Sequence, residues 1–261
     1  MSKPLAAAAL AALLLSLLTM TALLALAPSG WSGWQPATCL AGRCFCEAAD
    51  PLRAVQQPVN SVSSLAYLFP GCAMLWLGRT QRRPEQRFSP SYAAIVGSGA
   101  LVTGLGSAFY HASLTFAGQF WDILGMLLLA GFMLVYALER SLNWPARRTL
   151  TVYAAASACF TLLQVLLPDT RRYLFAVVLL VALLLEYRLH WTHQTTARLA
   201  WLTTGVALFA LAFGIWGLDQ SGLLCQPTSL LQGHALWHLL GAAGVGLLYR
   251  YYSSEKSALN R

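Results

Sequence analysis

The chain has 261 residues, of which 57% are hydrophobic and 10% charged, and its formal net charge is +8. A soluble domain carries about 25% charged residues, so a water-soluble globule is excluded. The basic balance does not point to nucleic acid, because the cations gather at the ends of long apolar runs and in the segments between them.

The first apolar run extends from Leu5 to Ala27, behind a weakly basic start at Lys3. It reads either as an uncleaved helix or as a signal peptide. Ala25-Leu26-Ala27 favours cleavage, whereas a 23-residue stretch is long for a signal and Pro28 would sit just after the cut. Residues 28–58 follow as an outer-side loop that contains Cys39, Cys44 and Cys46, and its Trp31 and Trp34 are placed at the membrane surface. Seven further spans are expected at 59–78, 91–112, 119–139, 148–167, 171–189, 198–217 and 232–251, each near the ~20 residues that cross a bilayer. The fold class is all-α and integral to the membrane: a seven-transmembrane helix bundle with an additional N-terminal hydrophobic helix or signal segment. Its parts are 1–27, the loop 28–58, a seven-helix domain 59–251 and a tail 252–261, whose end, from 253, is read as solvated and mobile.

Loop charges give the orientation. Arg79, Arg82, Arg83, Arg87, Arg140, Arg147, Arg148, Arg188, Arg198, Arg250, Lys256 and Arg261 all fall on the side of the C-terminus. The other side holds only Arg43, Arg53, Arg171 and Arg172. The positive-inside rule therefore places the C-terminus in the cytoplasm. Cys39, Cys44, Cys46 and Cys225 then face an oxidising compartment that allows disulfides, while Cys72 and Cys159 lie within spans as small core residues.

Ionisable and nucleophilic groups inside the apolar spans are costly and mark function. His111 ends the second expected span, Asp122 begins the third, and His234 and His238 begin the seventh, so all four occupy the outer half of the bundle. Four residues turn a helix by about 400°, which puts His234 and His238 on one face, and Ser107 one turn from His111. Three histidines with an open position suit a hydrolytic zinc site. The metalloprotease pattern His-Glu-x-x-His carries its own base, but here Ala235, Leu236 and Trp237 separate the histidines, so the proton role passes to Asp122. Ser107 is read either as an oxyanion ligand or as a hydroxyl back-bonded to its own helix. His190 and His193, beside Glu186, Arg188 and Trp191, read as an interfacial anchor, and Tyr249, Tyr251 and Tyr252 as part of an aromatic belt.

Gly104-Leu-Gly-Ser-Ala-Phe-Tyr-His111, Gly118-Gln-Phe-Trp-Asp122, His234-Ala-Leu-Trp-His238 and Pro58-Val-Asn60-Ser-Val-Ser63-Ser together resemble the alkaline ceramidases, within the alkaline ceramidase and adiponectin-receptor superfamily. The resemblance covers about 44–251. It implies zinc held by His111, His234 and His238, proton handling by Asp122, and a share in oxyanion stabilisation for Ser107. It also implies a disulfide between Cys46 and Cys225, with Cys39 and Cys44 available for a second, local one. The implied reaction is hydrolysis of a ceramide-like membrane lipid to a sphingoid base and a fatty acid. In the animal enzymes the N-terminal segment binds calcium. Here Glu47 is retained as a candidate ligand, but Cys44, Ala49 and Gln57 replace oxygen ligands, so calcium is not expected.

Two other readings share these residues: hydrolysis of another acyl lipid on the same zinc site, and a non-enzymatic, receptor-like bundle with a structural metal. Partners are the bilayer and its lipids, with no nucleic acid; the sequence does not set the oligomeric state. An intact-mass measurement of the mature protein should show residues 1–27 still attached, and a chain beginning at Pro28 would reject the retained helix.

Overall fold

The computed structural model describes residues 3–27, 30–41, 44–80 and 84–257. Pro28, Arg43, Arg82, Arg83 and Arg261, which entered the readings above, lie outside the described residues. The described chain is helical: α1 (Lys3–Leu26), α2 (Pro58–Ser64), α3 (Leu68–Thr80), α4 (Pro90–Ser113), α5 (Phe116–Leu142), α6 (Ala146–Leu166), α7 (Arg171–Trp191), α8 (Leu199–Gln220) and α9 (Gly233–Ser253). Seven helices are long and apolar enough to cross a membrane, counting α1 and taking α2 and α3 as one span. The additional N-terminal helix is thus present. Helix α9 falls below that hydropathy level because its 21 residues include His234, His238 and Arg250.

The first expected span, 59–78, is broken. A 3₁₀ turn at Leu65–Tyr67 separates α2 from α3. Ser63 and Ser64 both turn their hydroxyls back onto the Asn60 carbonyl, at 3.0 and 2.7 Å, in competition with regular helix bonding. Pro70, in the first turn of α3, cannot donate to the Ala66 carbonyl and crowds it.

Helices α4 and α5 are joined by two residues. Leu114 ends α4 in the left-handed conformation (φ 48°), and Thr115 caps α5 by accepting from the Gly118 N–H at 3.1 Å. Beyond this turn the two helices touch backbone to backbone. A Cβ on Gly106 would lie 2.5 Å from the Trp121 carbonyl carbon, and one on Gly125 would lie 2.5 Å from Thr103 Cα. Glycine at these crossings is therefore required by space. It is this approach that sets Asp122 against Ser107. Helix α7 packs on α5, α8 on α9, and α1 on α3 through Ala8 and Ala12. Outward faces carry residues such as Leu13, Leu162, Leu184 and Phe213, as lipid contact demands.

At the end of the bundle remote from the histidines lies an ion network that the sequence reading did not anticipate. Arg140 is fully buried; it pairs closely with Glu186 and reaches Glu255 at 3.5 Å. Tyr251 and Tyr252 donate to Glu186 at 2.8 and 2.9 Å, and Tyr92 donates to Glu139 at 2.5 Å. Arg87 bridges Glu139 and Glu255. Several expectations are corrected here. Glu186, Tyr251 and Tyr252 are buried rather than interfacial, and Arg140 is not a solvated loop cation. The tail is docked through Glu255 and through Ser257, whose N–H donates to the Glu85 carbonyl at 2.7 Å. Two more readings change: Cys159 is exposed instead of in the core, and Trp31 is buried, its indole N–H on the Ala54 carbonyl at 2.8 Å.

Removing one partner of a buried ion pair strands the other charge, at a cost of about 3–5 kcal/mol. Arg140→Ala is expected to lower the unfolding midpoint of detergent-solubilised protein sharply, whereas Arg53→Ala, at an exposed pair with Asp50, should scarcely change it.

Candidate metal centre

Three buried imidazoles meet at the end of α4 and the start of α9. His111, His234 and His238 each offer one ring nitrogen, and these nitrogens lie within 4.8 Å of one another. His111 Nε2 and His234 Nε2 are 3.1 Å apart.

Hydrogen bonding orients two of the rings. The Gln57 amide donates to the Glu47 main-chain carbonyl at 2.7 Å, which fixes the amide's orientation. Its Oε1 then faces His111 Nδ1 at 3.0 Å and can only accept. His111 therefore carries its proton on Nδ1 and presents the Nε2 lone pair to the centre. His238 behaves in the same way. Ser63 donates its hydroxyl to the Asn60 carbonyl, so its oxygen accepts from His238 Nδ1 at 2.9 Å. Such outer partners set the tautomer and basicity of metal-binding histidines. For His234, Nδ1 is buried with no hydrogen-bond partner among the described residues. Two locked imidazole lone pairs converging on a third ring form a donor set that fits a borderline cation such as zinc.

Ser107 Oγ lies 3.3 Å from His238 Nε2 and 3.0 Å from Ser64 Oγ, and it interacts with Asp122. Asp122 is half-buried and lines a cavity of about 570 Å³ that His234, His238 and Trp237 also line. A second, apolar chamber of about 110 Å³ shares Met126, Phe175, Leu179, Leu183, Phe209 and Trp237 with it. The five polar positions singled out in the spans are thus brought together. His190 is not among them; it bonds the Tyr251 hydroxyl at 3.1 Å, at the other end of the bundle.

The outer loop covers the centre. Phe45 lies against His111 and His234 with its ring tilted to both, the ring centroids 4.5 Å apart in each pair. Its neighbours are anchored on both sides, Cys44 to Cys39 and Cys46 to Cys225. Glu47, the candidate calcium ligand, turns both carboxylate oxygens onto the start of α2, accepting from Val59 N at 2.7 Å and Asn60 N at 2.8 Å. Burial pushes its carboxyl above the usual range, and these two N–H groups pull it part of the way back. Gln57, Asn60, Ser63 and Ser64 were not assigned roles from sequence. The signal that could have found them is a cluster of buried amides and hydroxyls at the start of a span.

Fold and site together define a multi-pass membrane protein with a buried three-histidine centre beside a cavity of about 570 Å³. The Ceramidase family model matches residues 45–259, and the chain belongs to that family. Membership supports an amidohydrolase that acts on ceramide, and the disulfide pairs fit an oxidising compartment on the side of the loop. Comparison with curated proteins gave no match.

Loss of an outer-shell partner typically costs a metal site about 10- to 100-fold in affinity. Gln57→Leu should weaken metal binding by that order in a chelator competition, while Gln56→Leu, whose amide bonds the Ser113 carbonyl, should leave it near the parent value.

Proposed function

We propose that the protein is a zinc-dependent intramembrane hydrolase that cleaves the amide bond of ceramide-like lipids to a sphingoid base and a fatty acid. The observation that carries this reading is the convergence of three imidazoles with Ser107 and Asp122 beside a cavity that His234, His238 and Asp122 line, in a chain of the Ceramidase family. His111, His234 and His238 would hold the metal, which supplies Lewis acidity toward water and toward the amide carbonyl.

The chain's own residues supply the rest. Asp122 takes a proton from the attacking water and returns it to the leaving amine nitrogen, so the carbonyl gains OH and the amine gains H. Ser107 donates a hydrogen bond to the carbonyl oxygen as negative charge develops there. Phe45 and the disulfide-anchored loop shield the histidines from bulk water. The shared apolar walls accept the hydrocarbon chains, which is why a hydrolytic centre sits in an apolar bundle. The orientation proposed from loop arginines, with a cytoplasmic C-terminus, puts the centre and both disulfides on the same outer side. The bundle still has a charge asymmetry after Arg140 is set aside as buried. Helix α1 is proposed to be retained, since its alanine face packs on α3.

Asp122→Asn, which preserves shape, and His238→Ala should each reduce fatty-acid release from ceramide by at least about 10²-fold, with the protein still eluting as folded material. Full turnover by His238→Ala would defeat the proposal. A panel of acyl esters and other N-acyl lipids tests the alternative substrates.

A further inference from the structure

The cavity is polar at its outer end and apolar further in. Asp122, Gln119, Arg172, Trp216 and Gln220 line the larger chamber near the histidines, whereas the chamber beyond it is walled almost entirely by apolar side chains. A lipid amide seated with its scissile bond at Asp122 and its hydrocarbon inward must leave its head group at the outer end.

Two adjacent arginines begin α7 there, and they have different surroundings. Arg171 is buried and engaged: it donates to the Gln164 carbonyl at 2.9 and 3.0 Å and to Gln119 Oε1 at 3.1 Å, and it lies 4.1 Å over the Phe116 ring. Arg171 is thus part of the scaffold. Arg172 is exposed on the cavity wall, with no hydrogen bond and no ion pair among the described residues. Its field reaches Tyr110, which lines the same cavity. Of the outer-side cations, Arg53 is paired with Asp50 at 2.8 Å and Arg171 is consumed internally, so among the described ones Arg172 is left unneutralised, at the entrance to the site. Trp216 adds a second donor: its indole N–H is buried without a partner, and its ring lies 6.4 Å from His234.

We infer that the outer end of the cavity is a head-group subsite for an anionic lipid amide, one whose head group carries a tetrahedral oxyanion such as a phosphate. Arg172 meets the anion with charge-assisted hydrogen bonds, and the Trp216 N–H donates to a head-group oxygen. A guanidinium fits a tetrahedral oxyanion through two parallel N–H bonds. The fatty-acid product does not account for Arg172, because its carboxylate is released at the histidines while the head group stays on the amine side. This inference rests on the amidase reading and narrows its substrate.

The test compares a neutral ceramide with its phosphate-headed counterpart, in both hydrolysis and binding, on the full-length protein in detergent. Binding is measured separately on the Asp122→Asn protein with radiolabelled lipid. The parent should favour the phosphate-headed lipid by at least about tenfold in kcat/KM, the worth of one hydrogen bond to a charge. Arg172→Gln should bring the ratio of the two substrates toward one, and Arg172→Lys should keep part of it. Trp216→Phe should lower the same ratio more modestly. Equal handling of both lipids in binding and turnover would overturn the subsite and leave the amidase standing. Arg172-dependent binding of the phosphate-headed lipid with no hydrolysis of either lipid would overturn the amidase and leave the subsite standing. If millimolar inorganic phosphate binds in an Arg172-dependent way while the two lipids are handled alike, the site takes free anions and the head-group assignment falls.

Discussion

The placement of the histidines depends on one carboxylate outside the spans. Glu47 accepts from Val59 N and Asn60 N at the start of α2, while its main-chain carbonyl accepts from Gln57. The first contact orders the helix whose Asn60 carbonyl gathers Ser63 and Ser64, and Ser63 in turn sets the His238 ring. The second fixes the amide that sets the His111 ring. Both histidines are therefore oriented through a single residue, and Cys46 beside it is bonded to Cys225, ahead of α9. A carboxylate at a helix start also complements the helix dipole. Glu47, the candidate calcium ligand of this loop, is thus engaged in holding the loop, α2 and α9 together.

A second constraint is spatial. Gly106 and Gly125 leave α4 and α5 no room for a side chain between them, and the two-residue turn at Leu114 and Thr115 keeps the helices in register. Asp122 can reach Ser107 because of this approach. Around that rigid pair the bundle separates its polar groups into two ends. The outer end keeps neutral imidazoles and one carboxylate near an open cavity. The inner end buries Arg140 with Glu186 and Glu255 among tyrosines, remote from the histidines. The inner network ties α5, α7, α9 and the chain end together, so the helices that wall the cavity are clamped at the end where no chemistry is proposed.

Much of this was legible in the sequence because apolar spans assign depth. His-x-x-x-His fixes a face, the ends of three spans fix a layer, and together they bring Ser107, His111, Asp122, His234 and His238 to one place. The residues that orient the histidines carried no such signal. Glu47 and Gln57 lie in a loop, where polar residues are ordinary, and their partners are set by how the chain folds back. Arg140, Glu186 and Glu255 were misread for a related reason. A charge at the end of a span looks the same in sequence whether it meets water or a partner from another helix, and these partners are separated by 46 residues or more. The break before α3 is legible in retrospect from three serines followed by Pro70.

Neutral imidazoles, one carboxylate and a hydroxyl can perform hydrolysis in an apolar bundle only if water is admitted sparingly and the lipid enters with its amide at the right depth. The outer loop bears on the first condition and the cavity wall on the second. Phe45 lies on two of the histidines, held by cysteines on either side that are bonded in different directions, one locally and one across to the loop before α9. It covers the centre from the side of the loop, next to the cavity walled by α5, α7, α8 and α9. Helix α7 packs on α5 and α8 on α9, so the cavity lies between two helix pairs. In the proposed subsite the depth of the amide would be set by the change in wall chemistry, from Arg172 and Trp216 near the histidines to Leu179, Leu183 and Val206 in the apolar chamber. On the proposed reading, a lipid with one charged end and one hydrocarbon end would satisfy that wall in a single orientation, and that orientation would bring its amide to Asp122.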